Sequence, residues 1–295
     1  MALDHSRRRF IGGIGEVLAT TAAWQCAPHI VLAQQPGAPV FAYVGSFTSQ
    51  ARAARGDGIN VYRLEPDTGA WTHVQNLGDL VNPSFLAIDR SRRFVYSVHA
   101  DLDYATAFAI DAVSGRLRRL NRQPTGGTNG VHLAVDASNR YLVVSNYASG
   151  SLAVLPVNDD GSLAPLSDLV ELQGAPGPHP VEQTGSHPHH NPFDPQGRFL
   201  LVPDKGLDRV FVFRVDLRSG TLVAGATPWV AAQPGAAPRH ADFHPTLPYA
   251  YVINELDSTM AVYAYDSQRG ALRRIQRLTT LPAGFTARNT TAEIA

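Results

Sequence analysis

One stretch of roughly twenty residues recurs along this chain, and that repetition constrains the fold more than any other feature. "NPSFLAIDRSRRFVYSVHA" from Asn82, "NGVHLAVDASNRYLVVSNYA" from Asn129, "HPHHNPFDPQGRFLLVPDKG" from His187 and "APRHADFHPTLPYAYVINEL" from Ala237 align without gaps over most of their length. Each reads as a short strand ending in Asp or His (Asp89, Asp136, Asp194, His244), a four-residue turn, and an apolar strand. Behind each lies a further strand and a tight turn: "YRLEPDTGAW", "FAIDAVSGRL", "PVNDDGSL", "FRVDLRSGTL" and "AYDSQRGAL". The glycine in each of those turns supplies the positive φ that a hairpin demands. No stretch carries helical periodicity.

A period of about 50 residues with four short strands per unit is the spacing of a β-propeller. A β-sandwich has no reason to repeat so regularly. The composition agrees, with 44% hydrophobic residues, 17% charged residues, 25 Gly and 21 Pro, a turn-rich all-β balance. Five units are expected, the first opening at "FAYVGSFT" (Phe41–Thr48), with the start of a sixth at "TTAEIA". The fold class is therefore all-β, a propeller of which about five blades are present, as an open or incomplete ring.

The first 33 residues are set apart as an export signal, leaving 34–295 as the propeller domain. "SRRRFIGG" (Ser6–Gly13) places arginines before Phe10 and Ile11, ahead of a weakly apolar stretch that contains Glu16 and runs to Trp24. This resembles a twin-arginine signal. "VLA" (Val31–Ala33) offers cleavage after Ala33, and Gln25 before Cys26 is too bulky for a lipid-anchor site. A periplasmic or secreted location is the resulting expectation. Net formal charge is zero, which gives no electrostatic footprint for nucleic acid, and the lone Cys26 excludes an internal disulfide or a multi-cysteine zinc site.

The phrases "YVGSFT", "GINVYRLEPDTG", "NPSFLAID", "SHPH", "DPQGRFLLVPDKGLDRVFVFRVD", "GAAPRHADFHP", "YVINELDST" and "TAEI" occur in the order seen in the seven-bladed lactonase family. The chain resembles that family, typified by bacterial 6-phosphogluconolactonase of the propeller type and by fungal muconate cycloisomerase. The resemblance implies a lactone hydrolase of carbohydrate metabolism, needing no cofactor and acting on a gluconolactone-type sugar lactone. It also implies about two further blades beyond "AEI", so truncation of the ring is expected, with open sheet edges at either end. A muconate cycloisomerase-like enzyme, or a non-catalytic exported propeller that binds a ligand or protein through its channel, remains as an alternative.

Register places the candidate chemistry. Four residues before each strand-closing Asp or His stand Phe85, His132, His190 and His240, followed by Glu293; five before stand Ser84, Val131, His189, Arg239 and Ala292. Eleven after stand Ala100, Tyr147, Lys205 and Glu255. Equivalent positions of successive blades are neighbours around the central channel, so His189, Arg239 and Glu255 are expected to converge there. The resemblance implies a His, Arg, Glu and second Arg constellation. Its first three members match His189, Arg239 and Glu255 as catalytic residues, and the second arginine would belong to a following blade. His132, His187, His240, Asn254 and Glu293 are the expected substrate contacts. Each has a plain structural alternative: an inner-strand histidine often only bonds a carbonyl, and Arg239 with Glu255 could be a structural salt bridge. The single lysine, Lys205, is expected to be solvated. A metal site is not expected, because adjacent His189 and His190 project to opposite faces of a strand and a catalytic zinc needs three convergent ligands.

Overall fold

The computed structural model describes residues 39–295; the expected signal and its expected cleavage site lie outside them. Eighteen antiparallel strands form five up-and-down sheets. The first holds β1 (Val40–Gly45), β2 (Ile59–Glu65) and β3 (Ala70–Leu77); the second β4 (Pro83–Ile88), β5 (Phe94–His99), β6 (Tyr104–Ile110) and β7 (Leu117–Pro124). The third holds β8 (Gly130–Val135), β9 (Tyr141–Asn146), β10 (Ser151–Pro156) and β11 (Asp168–Glu171). The fourth has β12 (Leu200–Asp204), β13 (Arg209–Asp216) and β14 (Thr221–Ala231), and the fifth β15 (Pro238–Phe243), β16 (Tyr249–Asn254), β17 (Thr259–Asp266) and β18 (Ala271–Thr279). These are the blades of a β-propeller. Strand β1 pairs with β2, and β18 with β17; no ladder joins the first sheet to the fifth among the described residues.

The middle strands explain why the sequence alternates so little there. Every residue of β5 (FVYSVH) and β9 (YLVVSN) is buried, because each sheet packs a neighbour on both faces. Core clusters accordingly mix adjacent sheets: Phe94, Tyr96 and Val98 pack with Leu133, Leu142 and Val144, and Leu201, Val210 and Val212 pack with Ala241, Phe243 and Val252. Burying each such side chain is worth about 1.5–3 kcal/mol.

Two repeated devices lock the blades. The strand-closing carboxylates turn the chain: Asp89 accepts the amides of Arg93 and Phe94 at 2.8 Å, and Asp136 accepts those of Arg140 and Tyr141 at 2.8 and 2.7 Å. Asp194 does the same for Arg198 and Phe199, and His244 Nδ1 accepts from Thr246 and Leu247. Between blades, an aromatic ring covers the neighbouring hairpin glycine. A Cβ added to Gly161 would collide with the ring of Phe94, one on Gly115 with that of Phe41, and one on Gly270 with that of Phe199. Those glycines are thus fixed twice, by positive φ (83°, 71° and 62°) and by contact. Phe41 therefore occupies the place that Phe94 holds in β5, which makes β1 the counterpart of β5 rather than of an inner strand.

A β-bulge falls in each regular inner strand at the same register. Ser84 is skipped between the pairs Pro83–His99 and Phe85–Val98, Val131 between Gly130–Asn146 and His132–Ser145, and Arg239 between Pro238–Asn254 and His240–Ile253. A bulge re-aims a side chain out of the alternating pleat. The fourth sheet departs from this pattern: its inner segment, His187 to Phe193, makes only isolated bridges at Pro188–Asp204 and Phe193–Leu200. Pro188, Pro192 and Pro203 cannot donate to a ladder, so the expected inner strand is an extended segment tied by His189 N to Pro203 O and Lys205 N to His187 O, both 3.0 Å.

Candidate active site

The bulges converge on one cavity of about 600 Å³, bordered by all five sheets. Ser84, Val131, His189, Arg239 and Ala292, one register position in five successive units, all line it. Phe85, Ala100, Tyr147, His240 and Glu293 complete much of the wall, with Phe47 and Arg52 from the loop after β1.

His189 is held from behind. Asp204, fully buried, accepts Ser186 Oγ at 2.5 Å and the amides of His187, Gly206 and Leu207 at 2.8–3.0 Å. That carboxylate fixes the Pro-rich segment where a ladder does not. His189 Nδ1 lies 3.1 Å from His240 Nε2, and His240 Nδ1 lies 2.7 Å from Glu293 Oε1. His190 stacks face to face on His240, with centroids 4.2 Å apart and planes within 5°, while accepting the Ala241 amide. Thus His189 meets the edge of His240 and reaches the cavity, whereas His190 covers its face and does not. Burial holds His189 and His190 well below the usual imidazole range, with Arg239 and His240 adding to the effect on His189. His240 is also lowered by burial, against the opposing pull of Glu293.

Arg239 and Glu255 are paired, Nε to Oε2 at 3.1 Å. Glu255 Oε1 is held by Lys205 Nζ at 2.8 Å, and the same ammonium contacts Glu182 Oε2 at 2.7 Å. The expectation of a solvated lysine is corrected here: the Lys205 side chain is 6% exposed, because the two carboxylates replace its water. Burial pulls its pKa down, but those carboxylates outweigh it and the net direction is up. Arg239 Nη1 donates to the Ala292 carbonyl, which leaves Nη2 without a protein partner among the described residues. Glu255 stands behind Arg239 and orients it rather than lining the cavity.

The other expected contacts divide by depth. His187 stacks on Tyr147 with centroids 4.6 Å apart and bonds Tyr147 O through Nδ1 at 3.0 Å. His132 is buried against Phe85 and pairs with Asn191 through Nδ1; burial pushes it down to about 3. Asn254 is buried and donates to Thr259 Oγ1 at 2.9 Å. His240 and Glu293 reach the cavity; His132 and Asn254 lie behind it. Among the described residues no cluster of three or more His, Cys, Asp or Glu side chains is arranged to hold a metal ion. Glu182 was not visible as a site neighbour in the sequence, since it comes from an extra loop between β11 and His187, outside the repeat. Tyr147 stood in the register now seen at the wall, but nothing in its residue type singled it out.

Comparison with known proteins accords with this geometry. The family described as Lactonase, 7-bladed beta-propeller matches residues 41–295. The 6-phosphogluconolactonase of Bacillus subtilis is 33% identical over 83% of this chain and 68% of its own length. That of Formosa agariphila is 30% identical over 75% and 63%. The chain thus spans about two thirds of the length of these relatives. The solved structure of a periplasmic gluconolactonase from Pseudomonas aeruginosa superposes with a TM-score of 0.75 at 30% identity, covering 85% of this chain and 71% of that one. Inner strands bulged at one register in three blades, a cavity that they share with His189, and similarity across nearly every described residue lead to one assignment: the chain belongs to the lactonase family of seven-bladed β-propellers.

Proposed function

We propose that this chain hydrolyses a gluconolactone-type sugar lactone to its acid. The observation that carries the reading is a neutral imidazole, His189, in the same cavity wall as an arginine whose Nη2 is uncommitted. His189 accepts a proton from water as the water attacks the lactone carbonyl. Arg239 faces the oxygen on which charge develops, and such a preorganised donor is worth about 3 kcal/mol, roughly a hundredfold in rate. His189 then returns the proton to the ring oxygen as the ester bond opens, so no net proton or redox change is required. Glu255 is a less suitable base, because both its oxygens are already held by cations; its role is to aim Arg239. The cavity volume, about 600 Å³, falls in the range of small-molecule sites and accommodates a single sugar ring.

Support for the substrate class comes from relatives named 6-phosphogluconolactonase and gluconolactonase. Export to the periplasm is proposed from Ser6–Gly13 and from the periplasmic relative; no helix among the described residues is long and apolar enough to cross a membrane. Replacing Arg7 and Arg8 by lysine should leave the precursor uncleaved, and normal processing of that variant would overturn the export reading.

A second reading, a ligand-binding propeller without catalysis, is favoured by the ladder Glu182–Lys205–Glu255–Arg239, which is satisfied without substrate. The deciding experiment monitors hydrolysis of gluconolactone, its 6-phosphate and muconolactone against the spontaneous rate. Acceleration of none of them supports the binding reading instead.

A further inference from the structure

The hydrogen bonds behind His189 point beyond a lone base, to a relay that rests on the hydrolase reading. A carboxylate can only accept, so the 2.7 Å contact of Glu293 Oε1 with His240 Nδ1 puts a proton on that nitrogen. Neutral His240 then has its lone pair on Nε2. The 3.1 Å contact with His189 Nδ1 therefore runs from an N–H of His189 to that lone pair, which leaves the lone pair of His189 on Nε2. Among the described residues nothing hydrogen-bonds that nitrogen, and His189 borders the cavity. The tautomers are fixed in sequence, from the carboxylate outward.

We propose that Glu293 and His240 are positioning residues that set the tautomer of His189 and take up the positive charge it acquires. When His189 Nε2 accepts the proton of the attacking water, the Nδ1 proton passes to His240 Nε2, and the resulting imidazolium faces the Glu293 carboxylate. The reverse transfer returns that proton as His189 protonates the departing ring oxygen, so the chain is restored after each turnover. The stacked face of His190 screens His240 from water on one side. Arg239 disfavours a cation on either ring, and at His240 the Glu293 carboxylate opposes that effect. A plain tether is the alternative: Thr291 Oγ1 donates to Asn254 O and Arg239 donates to Ala292 O, so the same segment is already held twice, and Glu293 would add only one more hold.

Groups facing the two rings are Arg239 on β15, Lys205 after β12, Glu255 after β16, Tyr147 after β9, His132 on β8, the neighbouring His190, and Glu293 itself. Of these only Glu293 is hydrogen-bonded to His240 as an anion. Two measurements on the full chain decide the matter. Imidazole ¹⁵N spectra at neutral pH should show His189 and His240 both as Nδ1–H tautomers, and an Nε2–H tautomer at His189 overturns the proposal. In kinetics, His240→Gln and Glu293→Gln should lower kcat about 10- to 100-fold, the usual effect of losing a supporting partner, with KM within about twofold. Glu293→Gln should also move the acid limb of kcat/KM to lower pH, since loss of the carboxylate makes the rings harder to protonate; Glu293→Asp should recover part of both. A lowered melting temperature with kcat and the acid limb unchanged overturns the relay in favour of the tether. Wild-type protein with the expected tautomers but no lactonase activity overturns the hydrolase reading instead, and the two failures are thereby distinguishable.

Discussion

Strand β8 and the segment His187 to Phe193 are the same repeat position in adjacent blades, yet they do different work. In β8 the backbone ladder is regular apart from one bulge, and its histidine, His132, is sealed in the core with Asn191 as partner. In the next blade prolines interrupt the ladder, a buried aspartate replaces it, and His189 stands at the cavity wall. The two histidines differ first in register: His132 shares its position with His190, which also stays off the cavity, whereas the counterpart of His189 is Val131, which lines it. Register decides which side chain reaches the cavity, and the residue type standing there decides what chemistry it can do.

The sharpest way to break this contrast is to delete each histidine in turn. His189→Ala should cost about three orders of magnitude in kcat/KM, within the usual span for a general base, with the melting temperature nearly unchanged. His132→Ala should do the opposite, losing about 2–3 kcal/mol of stability through the cavity and the orphaned Asn191, with the rate per folded molecule within about threefold. Equal effects of the two variants on rate would end the distinction. Lys205→Met extends the test to the ion-pair ladder. It leaves Glu182 without its cation and Glu255 with Arg239 alone, so about 1–2 kcal/mol of stability should be lost, measured by denaturant unfolding.

Hairpin glycines provide a second comparison. Gly161→Ala forces a methyl into the ring of Phe94 at a positive φ and should cost about 2–3 kcal/mol. Gly69→Ala keeps the strain but meets nothing within 4 Å, so about 1 kcal/mol is expected. Calorimetry of the pair separates contact from strain. A further effect is in acid. His99 and His132 are lowered by burial to about 4 and about 3, so between pH 6.5 and those values the unfolded chain binds protons that the folded chain does not. Their contribution is full above about pH 6.5 and is lost as pH falls, each at up to about 1.4 kcal/mol per pH unit. Replacing His132 by Gln should flatten that slope; an unchanged slope would show that the ring is not held neutral.

Much of this was legible in the sequence, because the repeat carries both the strand order and the register. Alignment on Asp89, Asp136, Asp194 and His244 was enough to bring Ser84, Val131, His189, Arg239 and Ala292 to one wall, although their separations exceed forty residues. What register could not give was the bulge at Ser84, Val131 and Arg239, since a bulge is a property of two paired strands and not of either alone. Nor could it give the fate of Lys205, which depends on Glu182 from a loop outside the repeat. His189 and His190 were expected on opposite faces by simple alternation; they do differ in access to the cavity, yet both touch His240, because prolines have taken the segment out of the pleat.

The ring-on-glycine contact has a consequence for how order spreads through the molecule. Each sheet offers an aromatic to one neighbour and a glycine socket to the other, so the second, third and fourth sheets are clasped on both sides. The first has Phe41 seated on Gly115 while its own Gly69 is uncovered, and the fifth has Gly270 covered while Tyr249 is half-buried without such a socket. Cohesion handed from neighbour to neighbour in this way resembles a row of coupled units, in which each clasp reinforces the next. Amide protection should therefore be greatest in β9, β10, β12 and β13. His189 is mounted in that clasped region, next to Asp204 at the end of β12.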